Sequence, residues 1–264
     1  MTKSNVPAKA NASLPAVPGG DFFEEYSGAG LENVTASDML VPRLTIIQGL
    51  SPQLQKNKGE YIEGAEIGDI VDVATGDLFK GSILFLPVYY KKEYLEWAPR
   101  KSSQGLVQIH SDPAILEKTI RNEKNQPLLP NGNLIAETAQ FYGFNLTAGR
   151  RRCFLPMSST QLKKARKWIT LATSEKLKRG DGSEYVPALF YRAYELSTCE
   201  ESNAEGDWSG WVVNRGPALH EIDFGFDWKV VGHEAVSFRE MLKSGEMRGD
   251  VASMQGAEEQ SEVM

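Results

Sequence analysis

Three consecutive arginines, Arg150, Arg151 and Arg152, follow a stretch that holds Phe141, Tyr142 and Phe144, and a lysine series, Lys163, Lys167 and Lys178, comes after them. Guanidinium and ammonium groups neutralise phosphates, and flat rings stack on bases that lack a pairing partner; single-stranded nucleic acid engages both. Trp168 sits inside the lysine series. Phe190, Arg192 and Tyr194 alternate as ring, cation and ring, which an extended strand would place on one face. Each phosphate contact releases counterions, so this set predicts an affinity that falls as salt rises. The competing reading gives the lysines to a solvated helix face and the rings to the core.

Other chemistries find less support in the residues. Gly76 to Ser82 has the glycine spacing of a phosphate loop, yet Ser82 and Ile83 stand where Lys and Ser or Thr are required, so it reads as a turn. His110, His220 and His233, with Cys153 and Cys199, have no zinc-site spacing, and no strained Gly-x-Ser-x-Gly turn exists. Asp69, Asp72 and Asp77, or Glu221, Asp223 and Asp227, could hold a metal for phosphodiester cleavage. Carboxylates so spaced on strands are more often exposed edges. The expectation is a binding protein with no catalytic residues, cofactor or metal.

Those groups need elements to hold them. Thr75-Gly76-Asp77 reads as a tight turn, and Ile83 to Trp97 is the strongest strand, with a bend or bulge expected near Pro87 or Lys91-Lys92. Asp112-Pro113 reads as the cap and first position of a short helix. LIAETAQFYGFNL is strand-like and broken at Gly143, and a long helix is predicted around QLKKARKWITLATSEKLKR, with Leu162, Ala165, Ile169 and Ala172 toward the core and Gly180 as its stop. VPALFYRAYELST and the alternating EIDFGFDWKVV predict further strands, and Ser237 with Glu240 a capping box for a last short helix. Strands, one prominent helix, then strands make a mainly β, α+β chain, best matched by a partly open barrel of the oligonucleotide-binding type. A β-sandwich is the nearest competitor.

Composition sets the bounds. Residues 1–38, rich in Pro, Gly, Ala, Ser and Asn, predict a disordered arm; residues 39–245 the binding domain; residues 246–264, with Glu258, Glu259 and Glu262, an acidic flexible tail. No apolar run approaches the roughly 20 residues of a membrane span and no secretory signal is visible, so a cytoplasmic protein is expected. Two cysteines fit a reducing compartment and leave one bridge between Cys153 and Cys199 open. The formal net charge is −6, but residues 150–192 carry +8 and residues 195–264 carry −10. That asymmetry predicts a charged partner.

Several segments, VPRLTIIQGLSPQL, YIEGAEIGDIVDV, LFLPVYYKKEYLEWAPR, SSTQLKKARKWITL and ALFYRAYELSTCEESNAEGDWSGW, resemble a group of bacteriophage proteins associated with single-stranded DNA binding during phage replication. The resemblance spans roughly residues 39–215. It implies an oligonucleotide-binding barrel that coats unwound DNA in the infected host cell, and an acidic C-terminus that contacts replication proteins. The chain departs from the simplest such tail by ending in Val263-Met264, without a terminal aromatic. The leading expectation is therefore sequence-nonspecific single-stranded DNA binding and protection in replication or recombination, with homo-oligomerisation left open. Rivals are a virion structural or anti-defence interaction protein and a metal-dependent nuclease or recombination enzyme.

Overall fold

The computed structural model describes residues 20–99, 102, 104–203 and 206–254. The first nineteen residues of the expected arm and the last ten of the expected tail lie outside the described residues. The longer elements in chain order are α1 (Gly20–Glu25), β1 (Leu44–Ile46), β2 (Ile70–Asp72), β3 (Leu78–Phe79), β4 (Ile83–Trp97), β5 (Leu106–His110), β6 (Leu134–Asn145), β7 (Arg151–Ser158), α2 (Leu162–Thr173), β8 (Arg192–Asn203), β9 (Gly206–Ala218) and α3 (Trp228–Ser244).

The long strands form one antiparallel sheet in the order β9-β8-β4-β6-β7, with β5 added along the second half of β4. Its register shifts between Pro87 and Tyr89, the bulge expected there. Pro87 has no N–H to give the ladder and lies opposite Gly143. A side chain at Gly143 would collide with the Leu86 carbonyl and the Phe85 ring, so the glycine does not break β6; it lets two backbones approach where the sheet bends.

The sheet curls. At its β7 edge the Phe154 N–H donates to the Pro42 carbonyl (2.8 Å), and β1, β2 and β3 continue as a meander turned at Gly76 (φ 73°). The Gln48 side chain then joins this meander to β9. Its Nε2 donates to the Ser209 carbonyl and its Oε1 accepts from the Ser209 N–H, both at 2.9 Å. A side-chain amide thus imitates a strand pair, and the result is a mostly β, partly open barrel.

Apolar groups lie on both faces of this sheet. One core, with Leu44, Ile70, Phe85, Phe141, Leu155 and Tyr194, is enclosed by the curl and covered by α2 through Ala165 and Trp168. The other, with Leu86, Tyr142, Phe144 and Phe154, is covered by α3 through Val231, Ala235, Phe238 and Leu242, a helical spacing. Because both faces are covered, β4 and β6 are buried along most of their length and not at alternating positions.

The single prominent helix of the sequence reading becomes two. The segment read as the strand EIDFGFDWKVV instead ends in the start of α3, capped by Asp227, whose carboxylate accepts from Lys229 N–H (3.0 Å), so Ser237 and Glu240 fall inside the helix. Gly245 ends it in the left-handed region (φ 82°). Conversely, α2 stops at Thr173, because Thr170, Thr173 and Ser174 turn their hydroxyls back onto carbonyls three or four residues earlier. Leu177–Lys178 then pairs with Glu184–Tyr185 as a short hairpin. The helix expected after Asp112-Pro113 is present as a 3-10 turn, Pro113–Lys118, with the Asp112 carboxylate accepting from Ala114 N–H.

The chain stays packed beyond residue 246: Met247, Val251 and Met254 are buried, and Arg248–Gly249 pairs with Leu40–Val41. The described part of the arm instead carries exposed Phe22, Phe23 and Tyr26. Cys153 and Cys199 are both free.

Candidate nucleic-acid interface

The arginine triplet does not form a cluster. On β7 successive side chains leave by opposite faces, so Arg151 crosses to Asp72, Asp77 and Thr75 at the β2–β3 turn, while Arg152 lies over the Phe238 ring (5.2 Å). Arg150, in the turn before β7 with φ 64°, lies over Phe226 (4.8 Å) and 3.4 Å from Glu234. The Arg151 guanidinium beside Asp77 holds that carboxyl below its ordinary range. Arg151 thus joins β7 to the β2–β3 turn, whereas Arg150 and Arg152 join it to α3 and the segment before α3.

Three of the four expected stacking rings are inside. Trp168 is stacked on Phe141 (4.0 Å, 15°) and meets Phe85 and Tyr194 edge to face. Tyr194 shares that core, and burial raises its hydroxyl's pKa. Tyr142 packs on Phe154 in the other core, its hydroxyl donating to Gln140 Oε1 (2.6 Å). Phe190 lies in a 3-10 turn and packs against the α3-side core, so Phe190 and Tyr194 do not share a strand face.

Arg192 is engaged as well. Its Nε and Nη2 donate to Glu175 (2.8 and 2.5 Å), its Nη1 to the Gly216 carbonyl (2.7 Å), and the pair holds the Glu175 carboxyl below its ordinary value. Lys164 is tied to Glu201 and to the Trp211 carbonyl, and Lys176 to Glu184 (3.0 Å).

What remains accessible is the outer face of α2 and the hairpin after it. Lys163, Arg166 and Lys167 are exposed at helical spacing, and Lys178 is exposed on the hairpin strand. Among the described residues, Lys163, Lys167 and Lys178 have no carboxylate within ion-pair distance, while Arg166 is 3.7 Å from Glu137. Arg179 lies over the Tyr185 ring (4.8 Å), itself exposed. Beside the end of α2 a cleft opens, lined by Ala172, Glu175, Val186, Pro187, Tyr191 and Arg192 among others. From its rim a row of rings runs outward: Tyr191 to His220 (5.9 Å), then His220 to Trp228 (6.3 Å).

A family model described as Pam3 phage gp34-like protein matches residues 11–248. The chain belongs to that family. It is thus a phage protein of the gp34-like group, and no curated protein and no solved structure matches it.

Among the described residues of this gp34-like chain, no three His, Cys, Asp or Glu side chains come together to hold a metal ion. Asp72 is instead occupied by the Ala74 and Thr75 N–H groups and by Arg151, and Asp69 by the Glu66 N–H. Among the described residues no helix is long and apolar enough to cross a membrane. Tyr185, Tyr191 and Trp228 are not singled out by the sequence, and His220 enters there only as a zinc ligand without a zinc-site spacing. Tyr185 alone had a local signal, two residues after the Asp181-Gly182-Ser183 turn; the other three meet only through tertiary packing.

Proposed function

We propose that this phage protein binds single-stranded DNA without sequence preference and protects it during replication or recombination. In this reading the phosphates follow Lys163, Arg166 and Lys167 along α2 and Lys178 and Arg179 on the hairpin, and Tyr185 offers a ring beside them. The observation that carries it is the exposure of Lys163, Lys167 and Lys178, which stand without carboxylate partners among the described residues. Cations paired within a protein are poor phosphate ligands, because each must give up one partner to gain another. Among the described residues these three have no carboxylate to give up. The partly open barrel is then of the oligonucleotide-binding type, the protein acts in the infected host cell, and the acidic residues Glu258, Glu259 and Glu262, outside the described residues, contact replication proteins.

The test is a fluorescence titration with oligothymidylate over a salt series. For single strands each neutralised phosphate contributes a slope of about −0.7 in log K against log salt. The double variant Lys163→Gln/Lys167→Gln should flatten the slope by about 1.4. Absence of binding at low salt, or an unchanged slope in the double variant, would overturn the proposal. The exposed Phe22, Phe23 and Tyr26 favour a second reading, an interaction protein of the virion. Co-purification with particles, together with indifference to DNA in a mobility shift, would support that one.

A further inference from the structure

The cleft beside the end of α2 has a cavity volume of about 100 Å³ and opens between Ala172–Glu175 and the segment from Val186 to Tyr194. Its walls are apolar where Ala172, Val186, Pro187 and Leu189 meet, and Tyr191 stands at its rim. The Glu175–Arg192 pair lines it too. This pair is internally neutral, and Arg192 also donates from Nη1 to the Gly216 carbonyl. An anion entering the cleft would therefore be desolvated without gaining a free cation. Positive charge lies outside: Arg215 is fixed to the Leu171 carbonyl and Ser174 Oγ, both at 3.0 Å, on one side, and Arg179 over Tyr185 on the other.

A neutral, flat group tethered to anions on either side is what this arrangement accommodates. We propose that the cleft receives an unpaired nucleobase, whose flanking phosphates lie on the cations of α2 and the hairpin; this rests on the single-stranded DNA reading. The base slides between the apolar wall and Tyr191, and its edge faces the lone pairs that the Glu175 carboxylate retains. The Tyr191, His220 and Trp228 rings continue the path for the next bases.

The experiment uses the full chain, an oligothymidylate with one central 2-aminopurine, and the same strand with abasic sites at its centre. Val186→Trp fills the cleft from an exposed position, and Tyr191→Ala removes the ring at its rim. Wild type should change 2-aminopurine emission on binding and bind the abasic strand about tenfold more weakly. Val186→Trp and Tyr191→Ala should lose that discrimination and the emission change while keeping the wild-type salt slope. Normal salt-dependent binding, with either variant as sensitive to the abasic sites as wild type, would overturn the cleft alone. Failure of wild type to bind any oligonucleotide would overturn the functional reading and the cleft with it.

Discussion

Trp168 separates a ring that supports the fold from one that touches DNA. Its side chain has no exposed surface, is stacked on Phe141 at 4.0 Å, and its indole N–H has no hydrogen-bond partner. Trp168→Ala opens a large cavity in the core under α2 and should cost about 3–5 kcal/mol. For a domain of this size that is a fall of roughly 6–20 °C in Tm. Trp168→Phe behaves differently. The lost volume, roughly 40 Å³, costs about 1 kcal/mol, while removing an unpaired buried donor recovers about as much. The variant should therefore lie within about 1 kcal/mol of wild type. Urea unfolding measures both changes, and an oligothymidylate titration runs in parallel. Trp168→Phe should bind DNA as wild type does. If it loses several-fold affinity at unchanged stability, the ring reaches the nucleic acid and its placement in the core is wrong.

Acid should weaken the fold in a defined window. Glu175 is held below its ordinary pKa by Arg192 and Asp77 by Arg151. A depressed carboxylate gives stability that is complete above its unfolded pKa and lost as pH falls through the folded one, so the loss should begin below about pH 4.5, and Glu175→Gln should flatten it in urea midpoints against pH. Gly143→Ala should cost more than about 2 kcal/mol, because the new Cβ would lie 2.8 Å from Phe85 Cζ and closer still to the Leu86 carbonyl oxygen. A melting temperature within a degree or two of wild type would show that the bend at Pro87 can relax.

Local chemistry was legible where one residue decides the outcome. The Pro87 bulge, the Gly76 turn and the Asp112 cap follow from a missing N–H, a permitted positive φ and a short carboxylate. Helix limits were less legible. The lysine spacing runs smoothly past Thr173, and nothing in it registers that the Thr173 and Ser174 hydroxyls turn back onto the Ile169 and Leu171 carbonyls where the chain leaves the helix for a hairpin. The start of α3 was misread because Phe224, Phe226 and Trp228 alternate as a strand would, although Asp227 caps a helix between the last two.

Charge density along the sequence and charge left unpaired in the fold differ for a separate physical reason. A run of +8 along residues 150–192 measures density in sequence, whereas a phosphate responds to charge left over in space. Folding brings Asp72, Asp77, Glu137, Glu201 and Glu234 to that run from segments far away in the chain, and two of these, Glu201 and Glu234, come from the acidic stretch whose −10 had pointed to an outside partner. Part of the asymmetry is therefore complementarity within one molecule. The rings carry the same lesson: Trp168 is adjacent to Lys167 in sequence because a helix that builds a core also carries exposed positions one residue away. Once the groups paired with carboxylates and the buried rings are set aside, the exposed Lys163, Lys167, Lys178 and Arg179 remain among the described residues of that run. The proposed DNA-binding role therefore predicts that substitution of these residues acts on affinity, whereas substitution of Arg150, Arg151 or Arg152 should act through stability before it acts through affinity.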